Sequence, residues 1–107
     1  MKQPRTVVFI GSSRRDIRDF PEAVRDEIGQ QLWAVQNDRE PKDWKSMPSI
    51  GPGVRELRAQ EASGAFRAIY VVKIVGKVHV LHAFRKKTQQ TSQKDIDLAK
   101  RRFRQVI

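Results

Sequence analysis

The chain contains no cysteine. No disulfide can staple the fold, and no thiolate can act as nucleophile or metal ligand. No apolar run approaches the ~18 residues that a membrane-spanning helix needs. The opening residues, Met1-Lys2-Gln3-Pro4-Arg5, lack the apolar stretch of a signal peptide. Together these absences point to a reducing cytoplasm and no membrane contact. Histidine occurs twice and tyrosine once. No cluster of acids stands near the most basic segment, so no metal or cofactor is expected. Internal repeats and low-complexity tracts are also missing.

Positive charge is abundant. With 107 residues the chain is expected to form one domain, 1–107, with a modest core. Its 22 Lys and Arg against 12 Asp and Glu leave a net charge of +10. The distribution is uneven. Residues 1–50 carry 9 basic and 8 acidic side chains, whereas residues 51–107 carry 13 and 4. The first half reads as a balanced, solvated surface. The second is a concentrated positive field, whose natural partner is a nucleic acid or an acidic protein that competes with one.

The apolar pattern divides the chain into elements. Arg5–Ile10 is β-branched and aromatic and stops at Gly11, so it reads as a strand. Ser12 and Ser13 offer a helix start, with Asp16 in capping-box position after Ser13. After Pro21, the spacing of Val24, Ile28, Leu32 and Val35 predicts a second, amphipathic helix to about Asn37. Residues 38–53 hold three prolines and two glycines and read as a long loop. Val54–Gln60, Ala65–Ile74 and Lys77–Phe84 then form three strands joined by short turns, hence an antiparallel meander. Ser92 with Asp95 caps a last helix lined by Ile96, Ala99, Phe103 and Val106. The order β-α-α-β-β-β-α is α+β. The helical hairpin is expected to cover one face of an antiparallel sheet and to leave the other open.

Strand alternation sorts the candidate site residues. Phe66, Ala68 and Tyr70 share the core face, which puts Arg67 on the open one. A mid-strand arginine between apolar neighbours is unusual. It suits bidentate grip of a phosphate, unless it serves a salt bridge to Glu56 or Glu61. Arg55 and Arg58 fall on opposite faces, so one of them can join Arg67. Arg85, Lys86 and Lys87, with Thr88 beside them, follow the last strand, where sites are commonly built on loops. Their charge can neutralise a phosphate or the charge that develops on it. His79 and His82 are three apart and are expected on opposite faces, which excludes a shared metal. His82 lies nearest the cations and is a candidate acid or base.

Three stretches carry a family resemblance: SIGPGVRELR, SGAFRAIYVV and VHVLHAFRKKTQQTSQKDIDLAKRR. The chain resembles the phage-derived, HigB-like branch of the RelE/ParE toxin superfamily, most specifically in FRAIY (66–70) and LHAFRKKTQQT (81–91). That resemblance implies a microbial RNase-like α+β fold and a type II toxin-antitoxin system. It implies a ribosome-dependent mRNA endonuclease working without metal, in which the message's 2′-hydroxyl attacks the adjacent phosphate. It also implies a cognate antitoxin, HigA-like with a helix-turn-helix. By match to the family, Arg67 holds the scissile phosphate, and Lys86 or its neighbours Arg85 and Lys87 take the basic position after the last strand. Arg55 lies near the basic position of the preceding strand. Some RelE proteins carry a tyrosine near the final helix that this chain lacks, which leaves Lys86, Lys87 or His82 to stabilise or protonate. On the same fold, a ParE-like inhibitor of DNA gyrase and a non-enzymatic phage-derived binding module are the competing functions.

Overall fold

A computed structural model describes residues 3–106. The chain runs β1 (Thr6–Phe9), α1 (Ser13–Arg18), α2 (Glu22–Gln36), β2 (Trp44–Ser46), β3 (Arg55–Glu61), β4 (Gly64–Val71), β5 (Lys77–Lys86) and α3 (Gln93–Arg104). The α+β class and the sequence of helices and meander strands match the expectation. Strand β2 is an addition. It is three residues long, inside a proline-rich stretch without alternation, and it exists because Trp44, Lys45 and Ser46 pair with Leu57, Glu56 and Arg55. The sheet order is β1-β5-β4-β3-β2. Every pairing is antiparallel except β1 with β5, which is parallel. The sheet is therefore mixed. A parallel pair needs a long crossover, and the two helices together with the meander supply it.

The predicted caps are realised unequally. At α3 the Ser92 hydroxyl accepts from the Asp95 amide at 3.2 Å. At α1 the Ser13 hydroxyl is buried and donates to the Val80 carbonyl at 3.1 Å, so it tethers the helix to β5. Ser12 takes up Asp16 instead, at 2.8 Å.

Two apolar clusters sandwich the sheet. On one side Val24, Ile28, Leu32 and Val35 of α2 meet Leu57, Ala59, Phe66, Ala68, Tyr70, Val78 and Val80. On the other side Ala99, Phe103 and Val106 meet Ile69, Val71 and Leu81, with Met47, Ile50 and Val54 from the long connection. The second face is thus not left open as expected. The apolar stripe of α3 has to be buried, and this face is the one the helical hairpin leaves free. Gly51 lets Phe103 approach: a Cβ there would lie 2.5 Å from the ring.

A β-bulge alters the strand parity. Ile69 faces His82 and Tyr70 faces Val80, so Leu81 has no cross-strand partner. The carbonyl this frees accepts from Arg102 Nη1 of α3 at 3.0 Å, as a backbone group left out of the ladder requires. Because of the extra residue, His79 and His82 lie on the same face, the α3 side, opposite Val71 and Ile69. That overturns the expectation of opposite faces, which assumed an unbroken alternation.

Candidate functional site

Cross-strand partners project to the same side of a sheet. The register therefore sets Arg58, Arg67 and Phe84 in one row across β3, β4 and β5. A second row runs Lys45, Glu56, Ile69 and His82. Both rows, and Lys86 opposite Ala65, lie on the α3 side of the sheet, where the helix covers Ile69.

Arg67 is only 4% exposed. Its Nε sits 3.3 Å from Glu56 Oε1, an ion pair rather than an aligned hydrogen bond, and its Nη1 donates to the Phe66 carbonyl at 2.9 Å. Glu56 is 2% exposed, and its second oxygen accepts from the Thr91 hydroxyl at 2.7 Å. A buried carboxylate thus ties the sheet arginine to the segment that links β5 to α3. Burial lowers the Arg67 pKa, Glu56 opposes that shift, and Arg58 adds to it. The guanidinium still remains a cation. Two arginines side by side on neighbouring strands repel each other. Glu56, two residues from Arg58 on β3 and diagonal to Arg67 on β4, offsets that repulsion.

Lys86 sits at the mouth of this arrangement. Partial burial lowers its pKa, Arg67, Arg58 and Lys45 push it further down, and Glu56 pulls it back. A cleft of about 430 Å³ opens here, lined by Lys45, Glu56, Arg58, Lys86 and residues 89–91. Lys86 also borders a neighbouring cavity of about 370 Å³, which Phe84, Arg85, Lys87, Thr88, Ser92, Lys94 and Asp95 line. Cations converging on a cleft over a rigid sheet suit a phosphodiester, since the positive groups stand in place before the ligand arrives.

The residues anticipated from the sequence divide. Arg67, Arg58 and Lys86 come together, and Lys87 and Thr88 are exposed beside them on the segment after β5. Arg55 does not join. It lies on the hairpin face, with its guanidinium 3.9 Å over the Trp44 ring and 3.6 Å from Glu40. The unbroken parity of β3 pairs Arg58, not Arg55, with Arg67. Arg85 also leaves the cleft, though it borders the neighbouring cavity: it is the partner of Phe66 on the hairpin face and donates to the Ser63 carbonyl in the β3–β4 turn. His82 is 6% exposed, and its Nε2 lies 2.7 Å from Asp95 Oδ1. It is withdrawn from the cleft and reaches no substrate directly. Lys45 and Glu56 are the charged cleft residues that the sequence does not mark as site residues. Lys45 sits in a stretch without strand pattern. Glu56 shares the parity of Arg58, which is a usable signal, but it was read only as a salt-bridge partner. Among the described residues no three His, Asp or Glu side chains gather as a metal site would require. Nor, among them, is any helix long and apolar enough to cross a membrane.

Comparison with known proteins agrees with this architecture. A search of curated proteins finds no match. The chain is similar in structure to an arginine-substituted form of the E. coli toxin RelE in the free state. The TM-score is 0.65 at 11% identity, over 97% of this chain and 99% of that one. It is also similar to the toxin-antitoxin complex RelBE2 from Mycobacterium tuberculosis. There the TM-score is 0.56 at 18% identity, over 78% of this chain and 99% of the other. At such identities the likeness establishes a shared fold. The model of the family described as "Phage derived protein Gp49-like" matches residues 15–104. With its RelE fold and a family match over most of its length, the chain belongs to the phage-derived, Gp49-like family.

Proposed function

We propose that this protein is the toxin of a type II toxin-antitoxin system and acts in the cytoplasm as a ribosome-dependent mRNA endonuclease. The observation that carries the reading is the convergence of Arg58, Arg67, Lys86 and Lys45 on one patch of sheet, around a single buried carboxylate. In this reading Arg58 and Lys45 grip the non-bridging oxygens of the scissile phosphate, and Arg67, locked by Glu56, supplies fixed positive charge beneath it. The 2′-hydroxyl gives its proton to solvent as its oxygen bonds to phosphorus, the bond from phosphorus to the 5′-oxygen breaks, that oxygen leaves with a proton, and a cyclic phosphate end remains. Lys86 is the donor of choice for that proton, because a lowered pKa makes its ammonium a stronger acid. No step requires a metal. Ordered positive charge and orientation supply the acceleration. The RelE fold supports the reading, and a cognate antitoxin with an anionic, HigA-like surface is the expected partner.

Induced expression without the antitoxin tests it. Primer extension on cellular transcripts should show cuts inside reading frames, and Arg58→Ala and Lys86→Ala should each relieve growth arrest. Arrest with intact transcripts and damaged DNA would overturn the proposal in favour of gyrase inhibition. Normal growth would leave a non-enzymatic module.

A further inference from the structure

We infer that the outer face of α2 is a self-association surface, through which two copies of the chain pack as an antiparallel, twofold pair. This pairing holds whether or not the chain cuts RNA, and so goes beyond the proposed function. Val24, Ile28, Leu32 and Val35 bury the inner stripe of α2, and the outer stripe carries Asp26, Gly29, Gln30 and Trp33. Trp33 is 52% exposed, although the Arg39 guanidinium lies 5.1 Å from its ring centroid. It borders a groove of about 730 Å³ together with Asp26, Gly29, Gln30 and Ala34. Gly29 stands mid-helix, where glycine is a poor helix former. A Cβ there would meet nothing within 4 Å, so the fold of one copy makes no demand for glycine. An exposed indole and an open notch thus stand one turn apart on the same stripe, a knob and its hole.

Symmetry and charge select a second copy as the occupant. In an isologous contact each copy presents the same patch, and a twofold axis midway between Gly29 and Trp33 lays each indole over the other copy's glycine. The same axis brings Asp26, one turn before Gly29, to the other copy's Arg39, which lies against Trp33. Among the described residues neither Asp26 nor Arg39 has an ion-pair partner within its own chain. Three acids, Glu22, Asp26 and Glu27, against one base, Arg25, give α2 a net charge of −2, whereas every other element is neutral or positive. A chain of net charge +10 repels its copies elsewhere, and this is the face on which they can meet. The groove shares no residue with the phosphate cleft, and α2 lies on the opposite side of the sheet from α3, so both clefts stay open in the pair. A single pair of helices buries little surface, which makes the association weak and dependent on concentration.

Sedimentation velocity of the full chain, at salt high enough to screen the net charge, tests the pairing. The mass should move from that of one chain towards twice it between micromolar and millimolar concentration. Tryptophan emission should shift to the blue over the same range as the indole is covered. Gly29→Gln fills the notch and should stay monomeric throughout. At micromolar concentration it should also melt above the wild type, since glutamine is the better helix former. Asp26→Arg and Arg39→Asp should each weaken association by at least about tenfold, because like charges then face each other. The doubly substituted chain should recover it, with the signs of the pair exchanged. A monomer at millimolar concentration would overturn the pairing, including one whose Trp33 is covered only in a complex with an antitoxin. A folded Gly29→Gln chain that associates like the wild type would also overturn it. If that variant does not fold, the charge exchange decides: recovery in the double variant upholds the twofold pair, and no recovery sinks it.

Discussion

Arg67 and Glu56 stand or fall together, and Arg67→Met shows why. The substitution keeps an unbranched, apolar stem and deletes the guanidinium. Glu56, 2% exposed, then retains the Thr91 hydroxyl but loses its one ion pair among the described residues. Removing one partner of a buried pair costs about 3–5 kcal/mol, a large share of a domain stability of about 5–15 kcal/mol. Arg67→Met/Glu56→Leu removes both charges, so its cost should fall well below the sum of the two singles, giving a coupling of at least about 2 kcal/mol in a double-mutant cycle. Urea unfolding of the four proteins at neutral pH measures all of this. A single substitution that costs under about 1 kcal/mol, or a double mutant as unstable as the sum, would refute the buried pair as the keystone of the site. The same measurement guards the functional assays, since an Arg67 variant that loses activity by unfolding says nothing about phosphate.

Two further outcomes are expected. Gly51→Ala places a methyl 2.5 Å from the Phe103 ring, so α3 must shift. The loss should be about 1–3 kcal/mol, read as a lower melting temperature, and Phe103→Leu in the Gly51→Ala background should cost less than it does alone. His79 is buried, and burial together with Lys77 lowers its pKa from 6.5. The unfolded chain therefore takes the proton first. Stability is complete above that value and declines as pH falls through it towards the folded-state pKa. His79→Leu should flatten that acid limb in urea titrations; an unchanged limb would assign it to other groups.

The helices and meander were legible because periodicity is local. Val24, Ile28, Leu32 and Val35 announce a helix wherever they pack, and Ser92 with Asp95 announces the start of another. That one of Arg55 and Arg58 shares a face with Arg67 could also be read, since alternation within an unbroken strand is enforced by the pleat, but which one is set by the register between strands. What failed involved elements distant in sequence. Strand β2 exists only because β3 accepts it as an edge. The two histidines share a face only because Leu81 is squeezed out of register, and no residue type at that position declares a bulge.

By itself the sequence determined the α+β class, the positive second half and the lack of any thiol, because composition and local period travel with the chain. Only the tertiary structure decided which cations meet. Arg55 and Arg85 went to the helical-hairpin side, Lys45 arrived through β2, and a buried Glu56 became the partner that lets Arg67 and Arg58 stand side by side. The reason is physical. Charges on a sheet converge by register and pairing, and those are fixed by contacts between strands that the linear order leaves open.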